Sequence, residues 1–471
     1  MKTECSGKPS GFKPLGKREV VAQFDGGDVT SDGGGLLLRE LDARLGITRA
    51  FAACFTDHRN PDLIEHTVEE LIAQRVFGLA LGYEDLSDHD VLRHDPMLAL
   101  LVGKTDPKGD ERVRERDRGK ALAGKSTINR LELTPSDADS DARYKKIVLN
   151  DEMAANFFVD AFIDSYASAP DAIILDLDAT DDPIHGNQEG RFYHGYYKAH
   201  CYMPLYIFCG EHVLCARLRP SNIDAPKGSV EELTRIIERI RTRWPAVAIT
   251  IRADSGFCRE WLMAWCENND VDYVLGIARN PRLQKEIADE LAQAKARCDE
   301  TGEAARVFKE FTYRTQKTWS RERRVIAKAE HLPAGSNPRF IVTNKDPKKA
   351  AAQALYEETY CARGDMENRI KEQQLMLFAD RTSTHFMRSN QIRLWFSSVA
   401  YVLMSALRRT ALRGTRLAHA QCDRIRLTLL KIGAQIRVTV RKVWVSLSES
   451  TPYRNIWTRV WTQLATVVAP A

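Results

Sequence analysis

What the sequence lacks narrows it first. Its ten cysteines include no Cys-x-x-Cys pair, and the His and Cys residues between positions 194 and 215 match no common zinc spacing, so neither a zinc ribbon nor a dithiol redox centre is expected. Scattered single thiols fit a reducing compartment. No apolar run reaches the length of a membrane span: the longest uncharged one, residues 394–407, has fourteen residues between Arg393 and Arg408 and reads as a buried helix. The first eighteen residues carry Lys2, Lys8, Lys13, Lys17 and Arg18 among Gly, Pro and Ser, without the apolar segment of a signal peptide. A cytoplasmic chain with no membrane partner is therefore expected.

Acid is what the last fifth is short of. From Arg381 to the end, fifteen Lys or Arg face only Asp423 and Glu449, a net of +13, which leaves the rest at −8 within a whole-chain charge of +5. So basic a region reads as a surface for a phosphate backbone, against the plainer alternative of a solvated helix face. Arg437, Thr439 and Arg441 alternate as on one strand face, with Lys442 beside them. At 471 residues the chain exceeds one typical core, and two or three domains are expected.

Residues 19–24 alternate like a short strand, and Ser31-Asp-Gly-Gly-Gly35 breaks it before a helix over 36–45; these glycines lack the spacing of a phosphate loop. Residues 68–81 have helical periodicity. Ser87-x-x-Asp90 has the form of a capping box, which also accounts for the acidic cluster around His89. Gly119-Lys-Ala-Leu-Ala-Gly-Lys-Ser126 fits the nucleotide-binding P-loop pattern. Its context argues against that function. A P-loop leaves a buried strand and opens a helix so that backbone N–H groups converge on phosphate, whereas Glu-Arg-Val-Arg-Glu-Arg-Asp-Arg118 precedes this one and reads as a solvated helix or loop. No use of ATP is expected.

The chain turns around residues 172–180, Ala-Ile-Ile-Leu-Asp-Leu-Asp-Ala-Thr. An unbroken apolar run passes straight into acid, the pattern of a central strand covered on both faces. Because strand side chains alternate, Asp176 and Asp178 project to one face, Leu175 and Leu177 to the other. A hairpin over 202–209 and 212–218 follows, turning at Gly210-Glu211. An amphipathic helix over 229–244, a strand over 247–251 running into Arg252-Ala-Asp254-Ser-Gly, a helix through Trp261 and Cys266, and a strand over 273–278 complete a mixed five-stranded sheet with helical cover. Residues 306–314, 324–329 and 340–343 read as strands of an inserted β-rich element. Residues 348–378 are helical in composition, with Gly364 the weak point.

On that helix Tyr360, Arg363, Glu367, Lys371 and Gln374 step by three or four and share a face. A Glu on a helix, an Asp on a first strand and an Asp at the tip of a parallel neighbour can converge on one point. Three carboxylates so crowded repel unless divalent cations sit between them, and hard oxygen donors suit Mg²⁺ or Mn²⁺. Two such ions about 3.5 to 4 Å apart activate a water or a DNA 3′-hydroxyl and stabilise the leaving oxygen of an in-line phosphoryl transfer. Taken singly, each piece has a plainer reading as a strand-end turn or a salt-bridged surface.

Asp178-Ala-Thr180, Asp254-Ser-Gly and Tyr360-x-x-Arg363-x-x-x-Glu367, in that order with an insertion before the last, resemble the DDE transposases of bacterial insertion sequences. Gly82-Tyr-Glu-Asp, His185-Gly-Asn-Gln-Glu-Gly, Asp254-Ser-Gly-Phe and Tyr360-Cys-Ala-Arg-Gly-Asp-Met-Glu-Asn-Arg-Ile-Lys look like the branch numbered thirteen-eighty. The resemblance implies a ribonuclease-H-like core in which Asp178, Asp254 and Glu367 are catalytic and hold two Mg²⁺ (or Mn²⁺) ions, with Asp176 the second choice for the first ligand. It places Tyr360 and Arg363 on the DNA phosphate near the cut. Relatives carry a Lys seven residues after the Glu; here that position is Gln374, a departure that leaves the role of that Lys open, with Lys371, one turn after the Glu, the candidate to replace it. Trp319 in the inserted element is expected to stack on an unpaired base, and Arg437, Arg441 and Lys442 to hold phosphates.

The implied layout is a basic flexible leader (1–18), a mainly helical region binding DNA ends (19–165), a catalytic core in two parts (166–281 and 346–410) around the β-rich insertion (282–345), and a basic C-terminal region (411–471). The implied activity is cleavage at the terminal inverted repeats of an insertion sequence and joining of the 3′-hydroxyl ends to target DNA, by a homodimer in a synaptic complex, at the nucleoid of a bacterium. A DNA-binding or regulatory protein of the same fold that no longer cuts is the rival, and a P-loop ATPase the distant third.

Overall fold

The structure, a computed structural model, describes residues 10–467. The first nine residues of the expected leader and the last four of the basic C-terminal region lie outside the described residues. Two compact units emerge: Asn150–Ser398, and the residues up to Leu149 together with those from Val399 on.

Asn150–Ser398 is built on one mixed sheet. Asn150 caps α1 (Asp151–Ile163) by accepting from two of its first free N–H groups. Then follow β1 (Ala172–Ala179), the hairpin β2 (Leu205–Cys209) and β3 (His212–Arg217), α2 (Ser229–Arg243), β4 (Ala248–Ala253), α3 (Glu260–Asn268) and β5 (Asp272–Ile277). β4 lies parallel between β1 and β5, and β2 lies antiparallel on the other side of β1. β1 is central because it is apolar on its far face: Ile173, Leu175 and Leu177 are buried in one core with Leu233, Ile236, Ile237 and Ile240 of α2.

The expected five-stranded sheet with a separate β insertion is corrected here. After α4 (Ala288–Thr301), the strands β6 (Ala305–Tyr313), β7 (Arg323–Leu332) and β8 (Arg339–Thr343) join the same sheet. β8 pairs antiparallel with β5, β7 with β8, and β6 with β7, while Gly335–Ser336 pairs back onto β7, giving nine strands in all. A free edge on β5 would leave backbone donors and acceptors unpaired, and joining it also brings Val325, Ala327 and Val342 into the common core.

A helical run covers the opposite face. It starts at Ala352–Ala354 and widens into π turns over Leu355–Tyr360. It tightens at Cys361–Arg363, becomes α5 (Gly364–Lys371), and widens again over Glu372–Met376. Leu355 and Tyr356 seat its start on Val274, Ile326 and Ile341, one apolar residue from each of β5, β7 and β8. π turns inside α-helices recur at functional sites.

The other unit is mainly helical. Helix Val68–Leu81 opens on a capping box of Thr67 and Glu70, and every residue from Leu71 on is buried. Ser10–Leu15 and Arg18–Ala22 pair as an exposed hairpin, so the second half of the expected flexible leader is strand and turn. Ala434–Val438 pairs with Val443–Leu447 on one side and Asp28–Thr30 on the other, joining the two ends of the chain. At Gly34 a Cβ would stand 1.8 Å from the Leu429 carbonyl oxygen, so this glycine run serves close backbone approach. Asp85 and Asp88, not Ser87 and Asp90, form the capping box. Asp90 instead accepts at 3.1 Å from the first amide of helix Lys125–Glu132. Among the described residues, no helix is long and apolar enough to cross a membrane.

Candidate active site

Strand register sets the site. Arg252 lies beside Asp176 and Ala253 beside Leu177 in one ladder; in the next, Arg252 lies beside Val274 and Ala253 beside Leu275. One step further along puts Asp178, Asp254 and Gly276 in a row across the C-terminal ends of three parallel strands. Laterally paired residues project the same way, so the row lies on the face that the helical run covers.

Each group in the row is held differently. Asp254, the first residue past β4, turns its carboxylate back to accept the Gly256 N–H at 2.8 Å. Asp178 pairs across the sheet with Tyr206. Burial pushes its carboxyl up to about 7; Arg363 pulls it down, while Asp254 and Glu367 push it up, so all four groups share one field. Gly276 leaves room for Tyr360: a Cβ there would stand 2.5 Å from the Tyr360 hydroxyl oxygen. Burial raises that phenol too, with Arg363 lowering and Asp254 raising it. Arg363 Nη2 pairs with Glu367 Oε1 at 3.0 Å, one helical turn on. Lys371 ends α5 on an exposed position, and Gln374 donates to the Asp181 carbonyl at 2.9 Å.

Asp176 is otherwise engaged. Its carboxylate forms a buried two-pronged pair with Arg252, Oδ2 lying 2.6 Å from Nη2. The same guanidinium donates through Nη1 to the Thr359 carbonyl at 2.5 Å. Two adjacent strands and the helical run just before Tyr360 are thus fastened by one side chain. Sequence reasoning gave Arg252 no role, yet a signal was there: a cation inside an apolar strand must find an acid.

Asp178, whose protonated form burial and the nearby Asp254 and Glu367 favour, makes with those two carboxylates a donor set chemically suited to a hard divalent cation. Among the described residues no three acidic, His or Cys side chains are drawn together as a metal-binding group; Glu367 is instead held by Arg363.

Other expected contacts lie elsewhere. Trp319 is buried, 5% exposed, edge-on to Tyr313 and beneath the Arg323 guanidinium, so base stacking is corrected to a core role. In the basic tail the strand stops at Val438 and residues 439–442 form the turn, closed by Thr439 N–H to the Lys442 carbonyl. Arg441 therefore does not share a strand face with Arg437. Arg437 and Lys442 flank Trp444, at 5.7 and 5.3 Å from its ring centroid. The run beginning at His185 docks the segment after the helix: Gln188 donates to the Thr382 carbonyl, and Glu189 accepts from the Met387 N–H.

A family model described as transposase DDE domain group 1 matches residues 12–469. No curated protein matches the chain. Among solved structures, the cryo-EM structure of a piggyBac transposase synaptic complex with hairpin DNA is similar over 85% of this chain and 80% of that one, at 11% identity and a TM-score of 0.40.

Proposed function

We propose that this chain, which belongs to the transposase family of the group 1 DDE domain, cuts DNA at the terminal inverted repeats of a bacterial insertion sequence and joins the freed 3′-hydroxyls to target DNA. The motif runs favour the branch numbered thirteen-eighty. The observation that carries the reading is the row of Asp178, Asp254 and Gly276 beneath a helix bearing Tyr360, Arg363 and Glu367. The order of β3, β2, β1, β4 and β5, with β1, β4 and β5 parallel and acids at the C-terminal ends of β1 and β4, supports a ribonuclease-H-like core.

Asp178, Asp254 and Glu367 would hold two Mg²⁺ or Mn²⁺ ions, which when bound supply Lewis acidity to the attacking oxygen and neutralise charge on the leaving one. Tyr360, seated on Gly276, and Arg363 present a hydroxyl and a planar fork to the phosphate at the cut. When Arg363 exchanges Glu367 for that phosphate, Glu367 is released toward the two aspartates. Lys371 lies one turn further on, exposed, and would serve as a further cation for the DNA backbone. Partners are duplex DNA, both element ends and target, and a second copy in a synaptic dimer; ATP is not needed, and the place of action is the nucleoid.

The test is a short duplex carrying an element end, incubated with protein and Mg²⁺ in the absence of ATP, the broken ends then mapped. Wild type should cut at the element boundary; Asp254→Ala and Glu367→Ala should bind the duplex and leave it whole. Cutting by either variant, or an absolute need for ATP, would refute the assignment.

A further inference from the structure

The P-loop-like run, left without a nucleotide role, lines something else. Lys120, Gly124 and Ser126 border a cleft of about 590 Å³ in the unit that contains the N-terminal region, far along the chain from the acid row. Seven Arg or Lys side chains and four carboxylates line it. Most of the acids are spoken for. Glu65 pairs with Arg112 at 2.8 Å, Asp90 takes the Lys125 amide and ammonium, and Asp117 lies 3.8 Å from Arg116. Arg59 is neutralised by Asp57. Among the described residues no carboxylate pairs with Arg93, Arg114 or Arg130, the last of which lies over the Tyr144 ring.

A buried polar group in the same wall points to a missing acceptor or donor. His66, 7% exposed, meets Arg112 Nη1 at 3.0 Å through Nε2, while its Nδ1 and the Arg112 Nε have no hydrogen-bond partner among the described residues. Burial, with Lys104, Arg112 and Arg59 nearby, lowers the pKa of His66 to about 3, so it stays neutral in a field that is already positive.

We propose that this cleft holds one or two consecutive phosphates of a DNA backbone, with Arg93, Arg114 and Arg130 as the contacting cations. Three guanidinium groups that form no carboxylate salt bridge, Arg93 lying also in the field of Asp90, surround a polar cleft of this size and suit phosphodiester oxygens, which accept charge-assisted hydrogen bonds from planar forks. The helix that follows the run adds nothing as an anion site, because Asp90 already occupies its first amide. The assignment rests on the DNA-joining reading above and adds a grip on the duplex that is independent of the acid row.

The test uses the full chain in EDTA, where no cutting occurs, and a fluorescent end-containing duplex titrated at several salt concentrations. Changing Arg93, Arg114 and Arg130 together to Gln should weaken binding roughly 10- to 100-fold at 0.15 M salt and flatten the log–log salt slope by about 2 to 3. The same three changed to Lys should keep most of the slope. If the triple Gln variant does not fold, Arg114→Gln alone, on an exposed loop position, should flatten the slope by about 1. Wild type that binds duplex with a slope the Gln variants leave unchanged overturns the cleft and spares the functional reading. Wild type without affinity for duplex at any salt overturns both. Loss of binding by the variants, in a wild type that never cuts in Mg²⁺, leaves the cleft standing and removes the functional reading. Retention of labelled ATP that duplex cannot displace overturns the cleft as a backbone site.

Discussion

Replacing Asp178 by Asn takes away the charge that the site tolerates least. The carboxyl is pushed from 3.8 to about 7, first by burial and then, against the pull of Arg363, by Asp254 and Glu367. At 1.36 kcal/mol per pH unit that climb is worth roughly 4 kcal/mol, and residual contact with water trims the net effect to about 2 kcal/mol. Because the folded-state pKa lies above the unfolded one, the folded chain holds more protons between about pH 4 and pH 7, and stability falls as pH rises through that window. Denaturant titrations of wild type and Asp178→Asn, in EDTA across that range, should show wild type losing stability toward pH 7 while the variant stays flatter and ends more stable by about 2 kcal/mol. Adding Mg²⁺ at pH 7 should raise the midpoint of wild type and leave the variant nearly where it was, since a ligand of the folded state stabilises it by mass action. Parallel pH profiles for the two proteins would refute the claim that burial, aided by the neighbouring acids, raises Asp178.

Asp176→Ala strands the buried Arg252 guanidinium and should cost about 3–5 kcal/mol in unfolding midpoint; pairing Asp176→Leu with Arg252→Met should recover most of that, yet leave cleavage slow, because the tie to the Thr359 carbonyl is gone. Gly276→Ala should slow cleavage at saturating DNA, because a Cβ there would stand 2.5 Å from the Tyr360 hydroxyl and 2.9 Å from the Ser255 amide nitrogen, so both Tyr360 and the turn that carries Asp254 must shift; unchanged rates would dismiss the close seating of Tyr360 on Gly276. Trp319→Ala should destabilise by about 3–5 kcal/mol without changing affinity for unpaired DNA, the reverse of what a stacking residue would show.

Much of the site was legible because it rests on short-range geometry. Period-two alternation puts Asp176 and Asp178 on one face whatever the fold around them, and Arg363 and Glu367, four apart on a helix, meet as their spacing requires. The P-loop-like run is preceded by a charged segment in place of a buried strand, and Asp90 accepts from the first amide of the helix it opens. What could not be read was longer in range. Trp319 looks like any loop aromatic until Tyr313 of β6 and Arg323 of β7 close on it, and alternation in the tail says nothing of where the chain turns, so Arg441 fell on the wrong element.

The sequence by itself determined the elements, the face each acid takes and the order of the motifs, since those depend on backbone periodicity over a few residues. Only the tertiary structure decided that the inserted strands lengthen one sheet, and that of two acids on one strand Asp176 belongs to Arg252 while Asp178 is left in the row with Asp254. Those outcomes depend on register between strands 76 residues apart in the chain, where backbone hydrogen bonds and the need of a buried cation for a partner choose the neighbour.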